Sequence, residues 1–433
     1  MEIVQYPQFD EKLYKEKLDN GLEVNVLPKS GYHKTYGILT TDYGSLDNKF
    51  VPLHKEKMET VPDGVAHFLE HKLFEKEDHD AFDLFGHYGA DANAFTSFTN
   101  TSYLFSTASF PQKSLEILLD FVQRPYFNAK SVEKEKGIIG QEIKMYEDDI
   151  DWRFYFGMLK NLYPDHPLSV DIAGTIDSIA KITVQNLYDC YWTFYHPQNM
   201  NLFVTGAVDP EETLDLIKEN QSKKSFSPAN EIKRASLDND ESGQDIIPYR
   251  MLELDTQRPK AAVGVKGLDQ VPDGREGLVY KLRIDMLLWL LFSDTSTNYV
   301  RLYNEGVIDD SFDFMFQLER GFHYVSVSSD TNDPQRFCHE IIAVLEKAEQ
   351  LLKGQYTQFN LAKKELIGRQ IHSMNSLETI ANQYSGHLFN GATIFDKVAI
   401  IQDMTLEEIL TTCKDFIRSE AVSVYQILPK EGN

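Results

Sequence analysis

Val61-Pro62-Asp63-Gly64-Val65-Ala66-His67-Phe68-Leu69-Glu70-His71-Lys72-Leu73 is the stretch on which the reading of this chain turns. Pro62-Asp63-Gly64 is a helix start signal, and Val65, Phe68, Leu69 and Leu73 then recur at helical spacing. On a helix, positions i and i+4 lie about 40° apart around the axis, so His67 and His71 project from one flank and can close on a single ion. Glu70, at i+3, shares that flank and can stand beside the ion as a base. Two neutral imidazoles and a carboxylate are the donors a catalytic zinc prefers, with a fourth position left for a water whose pKa the ion lowers to roughly 7. A single histidine on a helix is more commonly packed or solvated than a ligand, and a glutamate at i+3 is commonly a surface pair. Three matched residues outweigh those readings, because H-x-x-E-H is the inverted form of the H-E-x-x-H zinc signature.

Two histidines hold zinc weakly, so a third protein ligand is required. The segment from Ser131 to Tyr146 reads as a helix in which Glu135 and Glu142, seven residues apart, fall on nearly the same face. Spacing alone does not choose between them, and it is equally compatible with a solvated acidic helix. Gly137 and Gly140 weaken that helix and point to close packing or a local constraint there, instead of a free surface element.

With these residues in view, the chain resembles the pitrilysin and mitochondrial processing peptidase family of zinc peptidases. The resemblance is carried by His67-Phe68-Leu69-Glu70-His71, Asn93-Ala94-Phe95-Thr96 and the Glu135 to Glu142 pair, and it extends over most of the chain. His166-Pro167, Gly174-Thr175, and Phe194-Tyr195-His196-Pro197-Gln198-Asn199-Met200 leading to Gly206 continue it. It is most similar to bacterial subunits of about this length, including those named for an association with aminopentanol modification of elongation factor P. The resemblance implies one Zn2+ per chain held by His67, His71 and Glu142, with Glu70 as catalytic base and Glu135 as a carboxylate behind the ligands. It also implies an α+β fold of two related domains, each an antiparallel sheet backed by helices, facing each other as half of a peptidase chamber. The strand through Asn93, Ala94 and Phe95 is then a sheet edge to which an extended peptide adds through its main chain, a mode of binding that tolerates varied side chains.

Composition fits a large enzyme. A chain of 433 residues, 42% hydrophobic, has room for two cores, since single cores stop growing at roughly 250–300 residues. Residues 221–248, rich in Ser, Lys, Asp and Asn, read as a linker between an N-terminal zinc-binding domain, 1–220, and a related C-terminal domain, 249–433. The start, Met1-Glu2-Ile3-Val4, lacks a basic and then apolar signal pattern, and the run Met286 to Phe292 is too short to span a bilayer. Cys190, Cys338 and Cys413 are odd in number and far apart, which argues against a disulfide framework and fits a reducing, cytoplasmic compartment. A net charge of −24 disfavours nucleic acid and anionic membranes as partners. The same charge fits a soluble surface better than an acidic chamber for basic peptides.

Strands alternate with helices in both halves, and Val61-Pro62-Asp63-Gly64 recurs as Val271-Pro272-Asp273-Gly274, each time between a strand and a helix. Four residues are a thin sign of duplication, which the resemblance strengthens. Gly277 and Lys281 stand where the first half has His67 and His71, so only the N-terminal half carries the metal motif. The resemblance also implies an Arg in the second half, here Arg301, and seven residues later a Tyr, both gripping substrate; that later position is Ile308. An isoleucine offers no donor. Either Tyr303 or another nearby hydroxyl substitutes for it, or, as the sharper expectation, this is the metal-bearing subunit of a heterodimer whose metal-free relative supplies the missing pair, or a homodimer. A dedicated maturation peptidase for one modified precursor and a non-catalytic scaffold are the competing functions.

Overall fold

A computed structural model describes residues 1–237, 243–384 and 391–430. They fall into two compact units: the described residues of 1–144, 171–236 and 374–384 form one, and those of 145–170, 237, 243–373 and 391–430 the other.

The first unit is built on a seven-stranded sheet. Its strands are β1 (Glu2–Tyr6), β2 (Glu11–Lys17), β3 (Glu23–Pro28), β4 (Thr35–Thr41), and, after a separate short pair β5 (Lys49–Phe50) and β6 (Glu59–Thr60), β7 (Ala90–Thr96), β8 (Thr101–Thr107) and β9 (Met200–Gly206). Their spatial order is β1-β2-β3-β9-β4-β8-β7. β4 is buried along its whole length, and Ile38 pairs with Leu104 of β8 on one side and Phe203 of β9 on the other. β7 is the outer strand, with buried or half-buried residues alternating with exposed ones, as a strand with one covered face requires.

The second unit holds β10 (Tyr249–Leu254), β11 (Lys260–Lys266), β12 (Asp313–Glu319), β13 (Phe322–Asp330) and β14 (Val422–Pro429), in the order β10-β14-β11-β13-β12. Numbered by appearance, these strands run 1-5-2-4-3, and β3-β9-β4-β8-β7 follows the same order. Each sheet is antiparallel except for one pair, β3 with β9 and β10 with β14. The Val65–Phe74 helix follows β4 as the Gly274–Phe292 helix follows β11, so the repeated Val-Pro-Asp-Gly occupies the same topological place twice. The duplication expected from four residues is thus carried by the whole strand order.

The units interleave along the chain, whereas the boundaries expected from sequence run straight through it. The Ile150–Leu162 helix packs on β11 and β14, and the Leu377–Tyr384 helix packs on β4 and β9. Each repeat thus sends one helix to the other repeat's sheet, at the corresponding strand pair. Gly264 of β11 makes room for its visitor, since a Cβ there would lie 2.6 Å from Met158 Sδ. Part of the expected linker is also structured. The Pro210–Ser222 helix covers its first residues, and Val51 and Ala235 exchange backbone bonds with Lys233 and Lys49. Residues 238–242 of that linker lie outside the described residues. No described helix is long and apolar enough to cross a membrane, and all three cysteines are buried and unpaired.

Candidate metal centre

The Val65–Phe74 helix buries Phe68, Leu69 and Leu73 completely, which fixes its rotation and turns His67, Glu70 and His71 toward the Ala129–Asp148 helix. Its start is clamped. Gly64 caps it at φ 87° with no side-chain bond, and a Cβ there would lie 2.4 Å from the Ala173 carbonyl oxygen. Gly174 faces it at φ 78°, where a Cβ would lie 2.6 Å from Asp63 O, and Ser178 donates its hydroxyl hydrogen to Asp63 O at 2.9 Å. The Gly174-Thr175 motif therefore seats the first turn of the histidine helix.

Among the described residues, His67, His71 and Glu142 form the one group of metal-binding type, with one donor atom from each lying within 4.8 Å of the others. His67 Nε2 is 3.7 Å from Glu142 Oε1 and His71 Nε2 is 3.8 Å from Glu142 Oε2. These separations are too long for hydrogen bonds. They are close to the roughly 3.4 Å between neighbouring ligands of a tetrahedral ion bound at about 2.0–2.1 Å. The donor set and its spacing fit zinc.

Burial, reinforced by the neighbouring His71, pulls the His67 pKa down to about 3, which holds the ring in the neutral, ligating form. Burial also lowers His71. The hydrogen bond to Glu135 and the charges of Glu70 and Glu142 outweigh it, however, and leave His71 above the ordinary histidine value. Glu135 Oε1 lies 3.1 Å from His71 Nδ1, the second-partner arrangement that fixes a ligating imidazole's tautomer. Glu70 is 7% exposed, and burial raises its pKa, opposed by a hydrogen bond from Thr96. That bond runs from Thr96 Oγ1 to Glu70 Oε2 at 2.6 Å.

Asn93, Ala94 and Phe95 lie on the outer strand β7, paired on one side with Leu104, Tyr103 and Ser102. Asn93 and Phe95 are exposed. Arg301 belongs to the second unit, where its guanidinium meets Glu340 at 2.8 Å and Glu305 at 3.6 Å. Ile308 is buried in that unit's core, 3% exposed. The close packing expected at Gly137 and Gly140 is not present: no atom lies within 4 Å of a Cβ at Gly137, and at Gly140 only Ile179 Cδ1 does, at 4.0 Å. Gly137 is exposed and Gly140 half-buried, because Glu135, Ile139 and Ile143 turn inward. Two participants had no assigned role in the sequence reading, Thr96 and the fully buried Lys72. Thr96 stood within a quoted motif. For Lys72 the one signal was a charge on the apolar side of a helix.

The description "Insulinase (Peptidase family M16)" matches residues 58–175, and "Peptidase M16 inactive domain" matches residues 181–363. The "Uncharacterized zinc protease YmfH" of Bacillus subtilis (strain 168) is 46% identical to the chain over 99% of both. A crystal structure of a putative M16-like peptidase from Alicyclobacillus acidocaldarius superposes with a TM-score of 0.92 at 33% identity, covering 99% of this chain and 100% of that one. The periplasmic protease PqqL from Escherichia coli shares the fold at a TM-score of 0.70 and 19% identity, with all of this chain spanning 48% of that chain.

Proposed function

Since this chain belongs to the M16 peptidase family, we propose that it is a zinc-dependent endopeptidase acting on extended or unfolded peptides. The observation that carries the reading is the convergence of His67, His71 and Glu142 beside the buried, Thr96-bonded Glu70. Zinc, when bound by the first three, supplies Lewis-acid polarisation and a water acidified to roughly neutral pKa. Glu70, held through Oε2 by Thr96, takes the proton of the attacking water and returns it to the departing amine nitrogen. His71 is kept in one orientation by Glu135. The free side of β7 pairs with the substrate main chain beside Asn93, Ala94 and Phe95, so recognition follows backbone more than side chain. Arg301 is a substrate-facing position by resemblance.

The chain acts as the metal-bearing subunit of a two-subunit peptidase. The PqqL chain, about twice as long and containing this fold, supports a chamber made of two such units. The buried, unpaired cysteines support a cytoplasmic setting. A non-catalytic scaffold is the competing reading, and retention of all three ligands together with Glu70 speaks against it.

The test is a digest of unfolded peptides with and without chelator, alongside Glu70→Gln on the same preparation. The wild type should carry one zinc per chain and lose cleavage on chelation. Glu70→Gln should keep the metal and lose hydrolysis by about 10²- to 10⁴-fold. A wild type that takes up no zinc would defeat the proposal, and a fully active Glu70→Gln would defeat the role given to Glu70.

A further inference from the structure

Lys72 follows His71 directly, and its side chain is fully buried. It stands three and four residues after Leu69 and Phe68, on the side of the helix that faces the core, where an apolar residue is the ordinary choice. A buried ammonium is tolerated only when it is paired. Its partners are Glu75, in close contact, and Glu135 Oε2 at 3.8 Å. The other oxygen of that same carboxylate, Oε1, is the one 3.1 Å from His71 Nδ1.

The second repeat provides an internal control. Counting from the glycine of the shared Val-Pro-Asp-Gly, the places of His67, Glu70 and His71 are taken by Gly277, Tyr280 and Lys281. The place of Lys72 is taken by Leu282, which is buried in its own core. The fold thus accepts an apolar residue at this position, and the buried lysine occurs in the repeat that has the ligands.

We propose that Lys72 is a positioning residue for the metal centre. Its ammonium lies 3.8 Å from Glu135 Oε2, an ion pair without a hydrogen bond, and this attraction biases the carboxylate so that Oε1 stays toward His71 Nδ1. Without it, the carboxylate keeps a single anchor and can swing about the bond to its own chain. Three carboxylates, Glu70, Glu135 and Glu142, also crowd the two imidazoles, and Lys72 is a buried cation beside one of them, Glu135, whose charged form it favours. This inference rests on the reading of the site as a metal centre.

The test measures zinc affinity by competition with a chromogenic chelator for the wild type, Lys72→Leu, Glu135→Gln and the double variant, with Glu142→Ala as control. Melting curves are recorded in parallel. Lys72→Leu is expected to weaken zinc binding about tenfold, at the low end of the 10–100-fold typical of residues that support ligands. The double variant is expected to bind no more weakly than Glu135→Gln alone, because Lys72 acts through Glu135. An affinity for Lys72→Leu within twofold of wild type overturns the proposal, whatever happens to the melting temperature. So do losses that multiply in the double variant. If neither Lys72→Leu nor Lys72→Met folds, Lys72 is a structural residue and the proposal falls. A wild type without zinc, or a Glu142→Ala variant that binds as the wild type does, would instead remove the metal-centre reading beneath it.

Discussion

Thr96 donates its hydroxyl hydrogen to Glu70 Oε2 across 2.6 Å, tying the last residue of the outer strand β7 to the middle of the histidine helix. One carboxylate oxygen is thereby committed, and Oε1 is left for chemistry. Thr96→Val keeps the shape and removes the donor, so it should lower kcat by about 10–100-fold, the usual loss when the partner of a site residue is removed. Zinc content and KM should change little, and Thr96→Ser should restore most of the rate. Equal losses in Thr96→Val and Thr96→Ser would mean that the methyl group matters and the hydrogen bond does not.

Glu142→Ala and Glu135→Ala should differ in kind. Glu142 spans both imidazoles, whereas of the imidazole nitrogens Glu135 meets only the far one of His71. The first change should abolish stoichiometric zinc, and the second should weaken it by about 10–100-fold. Metal analysis after dialysis against a weak chelator distinguishes them. The reverse order would mean that the register of the helix toward the ion is wrong.

The histidine helix was legible because its ingredients are local: an i, i+4 pair, an apolar stripe and a start signal all lie within thirteen residues. The repeated strand-to-helix junctions were legible for the same reason. Glu135 and Glu142 have the same helical spacing from either point of view, so sequence geometry left them open. The resemblance assigned roles, and the distances put Glu135 at Nδ1 of His71 and Glu142 at the Nε2 atoms of both histidines. Lys72 and Thr96 act through residues 63 and 26 positions away, contacts that no local pattern encodes. The exchanged helices are illegible for a related reason: an amphipathic pattern says that a face is covered and does not say by which sheet.

Two glycines should respond in opposite directions. Gly64→Ala places a Cβ 2.4 Å from Ala173 O at φ 87°, and should destabilise the fold by about 1–3 kcal/mol. Gly137→Ala adds a methyl to an exposed helical position with nothing within 4 Å, and should stabilise by about 0.5–1 kcal/mol. Thermal melts of the two variants read the signs. A lower melting temperature for Gly137→Ala would show that this face of the helix is less open than it looks.

The lone chain should bind zinc fully yet hydrolyse peptides feebly. Oxyanion donors are among the larger catalytic contributions, with about 10²- to 10³-fold lost when one is removed. Neither position that the resemblance assigns to this task is ready for it: Arg301 is held by Glu340 and Glu305, and Ile308 is an apolar core residue. Tyr303, a hydroxyl between those two positions in sequence, already donates to Asp310 Oδ1 at 3.1 Å. A related metal-free subunit supplying an Arg and Tyr would complete the site. Adding the product of an adjacent related gene should therefore raise kcat by about 10²- to 10³-fold without changing zinc content. Light scattering on the same samples reports whether the active species holds one chain or two. If activity appears only in dimers of this chain, the second copy is the partner, whereas strong turnover by a monomer removes the partner requirement altogether.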